Sequence, residues 1–188
     1  MIRLQALRLT LTRLLCLLMA ISLVACANLA PKPAPALSEG DVRLSGRLSV
    51  QVAGSSGRAS GGNAGFELTG NPAAGQLELS TPLGSLMARA SWRDGDVLLQ
   101  TPEGERNYAH LDDLTRELLG ESIPVAALFD WLRGRPWPQA PSHDLNSGPG
   151  FEQLGWRIDL SKQSEGLILA HRPSEPAVTL RARIESSN

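Results

Sequence analysis

Both cysteines of this 188-residue chain, Cys16 and Cys26, fall within its first 26 residues. Everything after them is without a thiol, which excludes a disulfide framework or a cysteine metal site there. Lysine is nearly absent, with Lys32 and Lys162 alone, and the formal net charge is −1. No basic stripe stands out, and nucleic acid is not expected as a partner. The three histidines, His110, His143 and His171, lack the spacing of a metal triad, and none adjoins a serine in a nucleophile elbow. Asp112 and Asp113 are adjacent, which on a helix turns them about 100° apart and keeps them off one substrate. Gly54-Ser55-Ser56-Gly57 and Gly61-Gly62 lack the lysine and following helix of a phosphate loop. No enzyme chemistry, metal or cofactor is expected. Nor does any apolar run reach the ~18 residues of a membrane-spanning helix.

What is present begins with an address. Arg3, Arg8 and Arg13, with no acid among them, precede an apolar run from Leu14 to Ala25 that ends Leu23-Val24-Ala25-Cys26. Charges, apolar run, small residues and cysteine in that order resemble a bacterial lipoprotein signal. The resemblance implies removal of residues 1–25 and makes Cys26 a lipidated first residue, carrying N-acyl and S-diacylglycerol groups. The alternative is a secreted protein with a spare cysteine, or with a membrane-buried one. Three acyl chains at ~0.8 kcal/mol per methylene amount to an effectively permanent anchor. Ala27 and Asn28 follow, without the aspartate that retains lipoproteins at the inner membrane, which implies the outer membrane and its periplasmic face. Loss of the three arginines takes the net charge from −1 to −4. Residues 26–41, with Pro31, Pro33 and Pro35, read as the lipidated end and an extended tether, and 42–188 as one domain large enough for a core.

From Val42 the chain alternates. Val42, Leu44, Gly46, Leu48, Val50 and Val52 interleave with Arg43, Ser45, Arg47, Ser49 and Gln51, a half-buried strand with one dry face. The Gly-Ser-rich residues 53–65 read as a flexible connection. Shorter alternating runs over 65–69, 76–80, 86–92, 97–101 and 105–109 are split by Gly-Asn-Pro, Thr-Pro-Leu-Gly, Arg-Asp-Gly-Asp and Pro-Glu-Gly turns, the pattern of an antiparallel meander. The period then lengthens. Leu111, Leu114, Leu118 and Leu119 have helical spacing, with Asp112 and Asp113 in the first turn and Gly120 as the stop. Pro124 opens a second helix bearing Val125, Leu128, Phe129, Trp131 and Leu132, and Gly134 caps it. Residues 136–150 read as a loop, and three strands over 155–160, 166–171 and 177–185 close the chain. This gives about nine strands with two short helices between the sixth and seventh, a curved antiparallel sheet forming a part-closed barrel with helices over its concave face or mouth.

Two questions stay open on pattern alone. Trp92, Trp131, Trp137 and Trp156, with Leu44, Leu48, Leu99, Leu128 and Phe129, could make a solid core or line a cavity for an apolar ligand. In the turn Thr81-Pro82-Leu83-Gly84, proline presets φ and glycine completes the turn, but Leu83 gains nothing from water at a tip. It folds back or faces an apolar partner.

Several blocks together resemble one family, the outer-membrane lipoprotein receptor LolB, over nearly all of the chain from Val42. They are Leu79-Ser80-Thr81-Pro82-Leu83-Gly84, Leu119-Gly120, Ile123-Pro124 and Trp131-Leu132-Arg133-Gly134, in the family's order after a lipobox. The resemblance implies a mainly β fold with α: a half-open antiparallel β-barrel, a curved sheet of about nine to eleven strands with short helices packed in or over its cavity. It implies a receptor, a monomer without cofactor, that accepts lipoproteins from the periplasmic carrier LolA by their acyl chains and inserts them into the inner leaflet of the outer membrane. Leu44, Leu48, Leu79, Trp92, Leu99, Leu128, Trp131 and Trp156 are then the candidates for the acyl-chain cavity. Pro82, Leu83 and Gly84 are the loop that touches membrane lipid, with Leu83 outward. A lipoprotein binding some other apolar ligand, or a scaffold lipoprotein of the envelope, is the competing expectation.

Overall fold

A computed structural model describes residues 41–53, 60–119 and 121–185 of the chain. The expected lipidation site Cys26, the segment 1–25 expected to be removed, residues 26–40 of the expected tether and the expected helix stop Gly120 lie outside them. Eleven strands form a single antiparallel sheet: β1 (Val42–Val52), β2 (Ser60–Gly70), β3 (Ala74–Ser80), β4 (Leu86–Arg93), β5 (Asp96–Thr101), β6 (Gly104–Tyr108), β7 (Ser142–Asp144), β8 (Gly150–Gln153), β9 (Trp156–Asp159), β10 (Leu167–Arg172) and β11 (Val178–Glu185). Their spatial order is β6-β5-β4-β3-β2-β1-β11-β10-β9-β8-β7. β6 and β7 are the two edges and do not pair, so the curved sheet is a half-open barrel. Two helices lie between β6 and β7 in the chain, α1 (Leu111–Leu119) and α2 (Val125–Trp131).

Alternation in β1 produces its expected face. Gly46, Val50 and Val52 are buried while Arg43, Arg47 and Gln51 are exposed. Glycine is required at position 46 because a Cβ there would come within 2.0 Å of the Arg183 carbonyl oxygen on β11. The Asp94-Gly95 turn has φ of 53° and 88°, the two left-handed residues of a tight hairpin whose twist matches its strands.

Two boundaries and one buried position differ from the sequence reading. Residues 60–65 belong to β2, and only 54–59 of the Gly-Ser run lie outside the described residues. Glycines supply no alternating side chains, but β1 pairs with β2 over their full lengths, from Val42 opposite Gly70 to Val52 opposite Ser60. The stretch 136–150 is not all loop: β7 pairs with β8, which adds the two strands beyond nine. All three residues of β7 are exposed, so no apolar period marks it. Leu118, placed on the apolar face of α1 by spacing, is exposed, whereas Leu114 is buried.

α2 is buried along almost its whole length, including Val125, Ala127, Leu128, Phe129 and Trp131. Phe129 meets Trp92 of β4 edge-on at 5.9 Å, and Trp131 meets Trp156 of β9 at 5.9 Å. β4 and β9 are the third strands from opposite edges. A single short helix therefore joins the two wings of the sheet across its concave side.

Candidate functional site

The β3–β4 hairpin tip is built from its turn outward. The Thr81 N–H donates to the Ser85 carbonyl at 2.8 Å, the Gly84 N–H donates to the Thr81 carbonyl at 2.9 Å, and the Ser85 N–H donates to Thr81 Oγ1 at 3.2 Å. Gly84 holds φ 85°, which a Cβ would disfavour. Pro82 and Leu83 are thus carried by a turn whose own bonds are satisfied, and Leu83 is 95% exposed. Its side chain faces out.

Two further apolar residues join it. Leu86 and Met87 are 39% and 43% exposed. The β3–β4 register shifts here: Leu79 faces Ala88 while Ser80 faces Leu86, leaving Met87 as the extra residue of a β-bulge. Three of the five large exposed apolar side chains among the described residues, Leu83, Leu86 and Met87, sit on this one hairpin. The sequence carried a signal for this: Leu86-Met87 is a pair of consecutive apolar residues where β alternation allows one. Sequence reasoning took them simply as strand.

The cavity candidates divide. Trp92, Leu99, Leu128, Trp131 and Trp156 are buried in one core, and Leu44, Leu48 and Leu79 are partly buried against it. The concave side is occupied by the chain's own α2. The end of that helix is held by charge. Asp130 Oδ1, on a nearly buried side chain, accepts from Arg133 Nη2 and Arg135 Nε, both at 2.7 Å. Gly134 completes the stop at φ 74°, its N–H donating to the Trp131 carbonyl at 2.9 Å. The connection from α1 to α2 is tied to the sheet by Arg172 of β10, which donates to Glu121 at 2.6 Å and lies 5.7 Å over the Trp156 ring. Thr115 adds a second tie by accepting the Ile123 N–H at 3.0 Å.

Among the described residues the histidines fall in two places, His110 just before α1 and His143 with His171 at one surface depression. His143 stands opposite Glu152 and His171 opposite Arg157, on the wall of an open depression of about 580 Å³, and His171 Nδ1 is 3.1 Å from Thr179 Oγ1. Asp113 pairs with Arg116 at 2.8 Å on the surface of α1. Among the described residues no group of three or more His, Cys, Asp or Glu is placed to hold a metal ion, and no helix is long and apolar enough to cross a membrane.

A family model described as "Outer membrane lipoprotein LolB" matches residues 41–178. A protein of Bordetella petrii named outer-membrane lipoprotein LolB is 35% identical over 174 residues, covering 88% of this chain and 86% of its own. Proteins of the same name from Chromobacterium violaceum and Cupriavidus pinatubonensis are each 32% identical, over 158 and 152 residues; the alignments cover 81% and 77% of this chain and 84% and 73% of theirs. With a match from the first strand into the last and relatives aligned over most of their length, the chain belongs to the outer membrane lipoprotein LolB family.

Proposed function

We propose that this chain is a lipid-anchored receptor of the outer membrane that takes lipoproteins from the periplasmic carrier LolA and inserts them into the inner leaflet. Cys26 carries the anchor and the prolines after it hold the domain off the bilayer. No chemical step is needed. Each handover moves the same acyl chains between apolar surroundings, so differences in affinity set its direction.

The observation that carries this reading is Leu83, presented to solvent at 95% exposure on a turn that is rigid in its own hydrogen bonds. A leucine so placed has no folding role and suits an apolar medium outside the protein. The half-open sheet supplies the binding side. For acyl chains to enter among Leu44, Leu48, Leu79, Trp92, Leu99, Leu128, Trp131 and Trp156, α2 must give way, and its contacts Phe129–Trp92 and Trp131–Trp156 are those a guest would replace. The test is transfer of a radiolabelled lipoprotein from loaded carrier to this protein and then to membranes. Acceptance followed by release supports the reading, and no acceptance by a folded domain overturns it.

A further inference from the structure

The outward face of the sheet carries a second feature at the level of the hairpin tip. Ser80, the last residue of β3, stands opposite Gly65 of β2, Gly65 opposite Arg47 of β1, and Arg47 opposite Arg183 of β11. Arg181 lies two residues along β11, hence on the same face and one step further toward the tip, opposite Ser49. All three arginines are exposed. Among the described residues none of them enters an ion pair, although eight such pairs form elsewhere.

On β1, β2, β3 and β11 the acids of this face sit one row behind, away from the tip; Asp159 of β9 lies in the row of Arg181 but two strands off, beyond Leu169. Glu78 and Glu67 face each other in the row behind and are engaged by Arg89 at 2.7 Å and Arg43 at 3.4 Å, while Glu185 stands opposite Ser45. Toward the tip the facing residues are Ser49, Asn63 and Gln51, without an acid. Like charges directly opposite on a sheet are destabilising, so Arg47 against Arg183 serves no folding purpose. Leu86 is in the same row through its pairing with Ser80. With strands ~4.8 Å apart, the arginines begin about 10–14 Å from the hairpin along one face.

We propose that Arg47, Arg181 and Arg183 bind the phosphates of anionic phospholipid headgroups and so orient the domain with its hairpin tip against the bilayer. This rests on the reading of Leu83 as a membrane contact. A phosphate matches the planar fork of arginine. An apolar tip beside a cationic row on one end of one face gives the two signals that hold a protein at an anionic surface. An acidic protein surface would satisfy the charges but leave the neighbouring Leu83 and Leu86 unexplained.

The test uses the full, naturally lipidated chain reconstituted in vesicles containing a dansyl-labelled lipid, with energy transfer from the domain's tryptophans reporting its approach to the bilayer. Vesicles of zwitterionic phospholipid are compared with vesicles containing about 30 mol % phosphatidylglycerol, whose charge acts within a Debye length. Transfer should rise with the anionic lipid and fall back in about 0.5 M salt. Each arginine adds roughly five-fold in partitioning at such a surface, so the R47E/R181E/R183E variant should lose on the order of a hundred-fold in docking on anionic vesicles only. The R47Q/R181Q/R183Q variant, checked for fold by near-ultraviolet circular dichroism, should lose the same anionic response. An unchanged anionic response in both variants overturns the proposal. So does retention of that response with lost uptake of lipoprotein from the carrier, which would make the face a protein-docking surface. Leu83→Glu tests the underlying reading separately, since it should weaken approach to both kinds of vesicle.

Discussion

Trp131 of α2 and Gln153 of β8 are joined by a buried hydrogen bond in which Trp131 Nε1–H donates to Gln153 Oε1 at 2.8 Å. The same oxygen accepts the Trp137 N–H, and Gln153 Nε2 donates to the carbonyls of Trp137 and Ala140, each at 2.8 Å. One amide at 2% exposure thus satisfies four groups and binds the helix, the chain after it and the edge of the sheet together. A fully satisfied buried network specifies one arrangement, and a broken one leaves several groups unpaired.

Gln153→Ala should therefore cost about 2–4 kcal/mol of stability, since it strands the Trp131 indole N–H, the Trp137 N–H and the Ala140 carbonyl. Chemical denaturation measures it. A loss below about 1 kcal/mol would show that solvent or a rearranged loop replaces the amide.

Leu83→Glu should leave the unfolding free energy within about 0.5 kcal/mol of the parent, because the side chain is almost wholly exposed. The same variant should accept lipoprotein from the carrier but fail to insert it into membranes. Intact insertion would remove Leu83 from the membrane contact.

Arg183→Gln removes one member of the opposed Arg47–Arg183 pair. Stability should rise by about 0.2–1 kcal/mol, read as a higher denaturation midpoint at low salt with the gain shrinking as salt is added. A fall in stability would mean that the guanidinium packs usefully against the sheet.

Arg172→Ala should release the α1–α2 connection, because Arg172 holds Glu121 and covers Trp156. Hydrogen exchange should quicken from Glu121 to Ile123 before it quickens in β1 or β11. Uniform loss of protection would instead point to global destabilisation.

The carboxylate of Asp159 sits below the usual range because it accepts the Ser161 N–H at 2.8 Å. A group whose pKa is lowered by folding stabilises the protein above its unfolded value and loses that contribution as pH falls through its folded one. Stability of the parent should decline through the acidic range more steeply than that of Asp159→Asn. Parallel pH profiles would remove Asp159 from the acid response.

Much of this was legible because burial imposes period. Alternation from Val42 to Val52 set β1 and its face, and Pro124 with Gly134 bracketed α2. The turn Thr81-Pro82-Leu83-Gly84 announced the tip because a leucine there breaks turn chemistry. Residues 60–65 and Ser142–Asp144 were hidden for the opposite reason: glycine-rich or fully exposed segments become strands through their partners and show no pattern of their own. Gln153 and the three arginines were equally hidden. Their neighbours are far along the chain, and only register brings Arg47 to Arg183.

That register also dictates a timetable. β1 is flanked by β2, its close successor, and by β11, the last strand described. A chain delivered from its amino end forms the β1–β2 hairpin early, yet the other margin of β1 keeps its N–H and C=O groups unpaired until nearly all of the domain has arrived. High contact order slows such a closure, and an open strand margin invites pairing with a stranger. Assembly of this domain should consequently be slow, completed in one late step, and most vulnerable to aggregation in chains truncated before Val178.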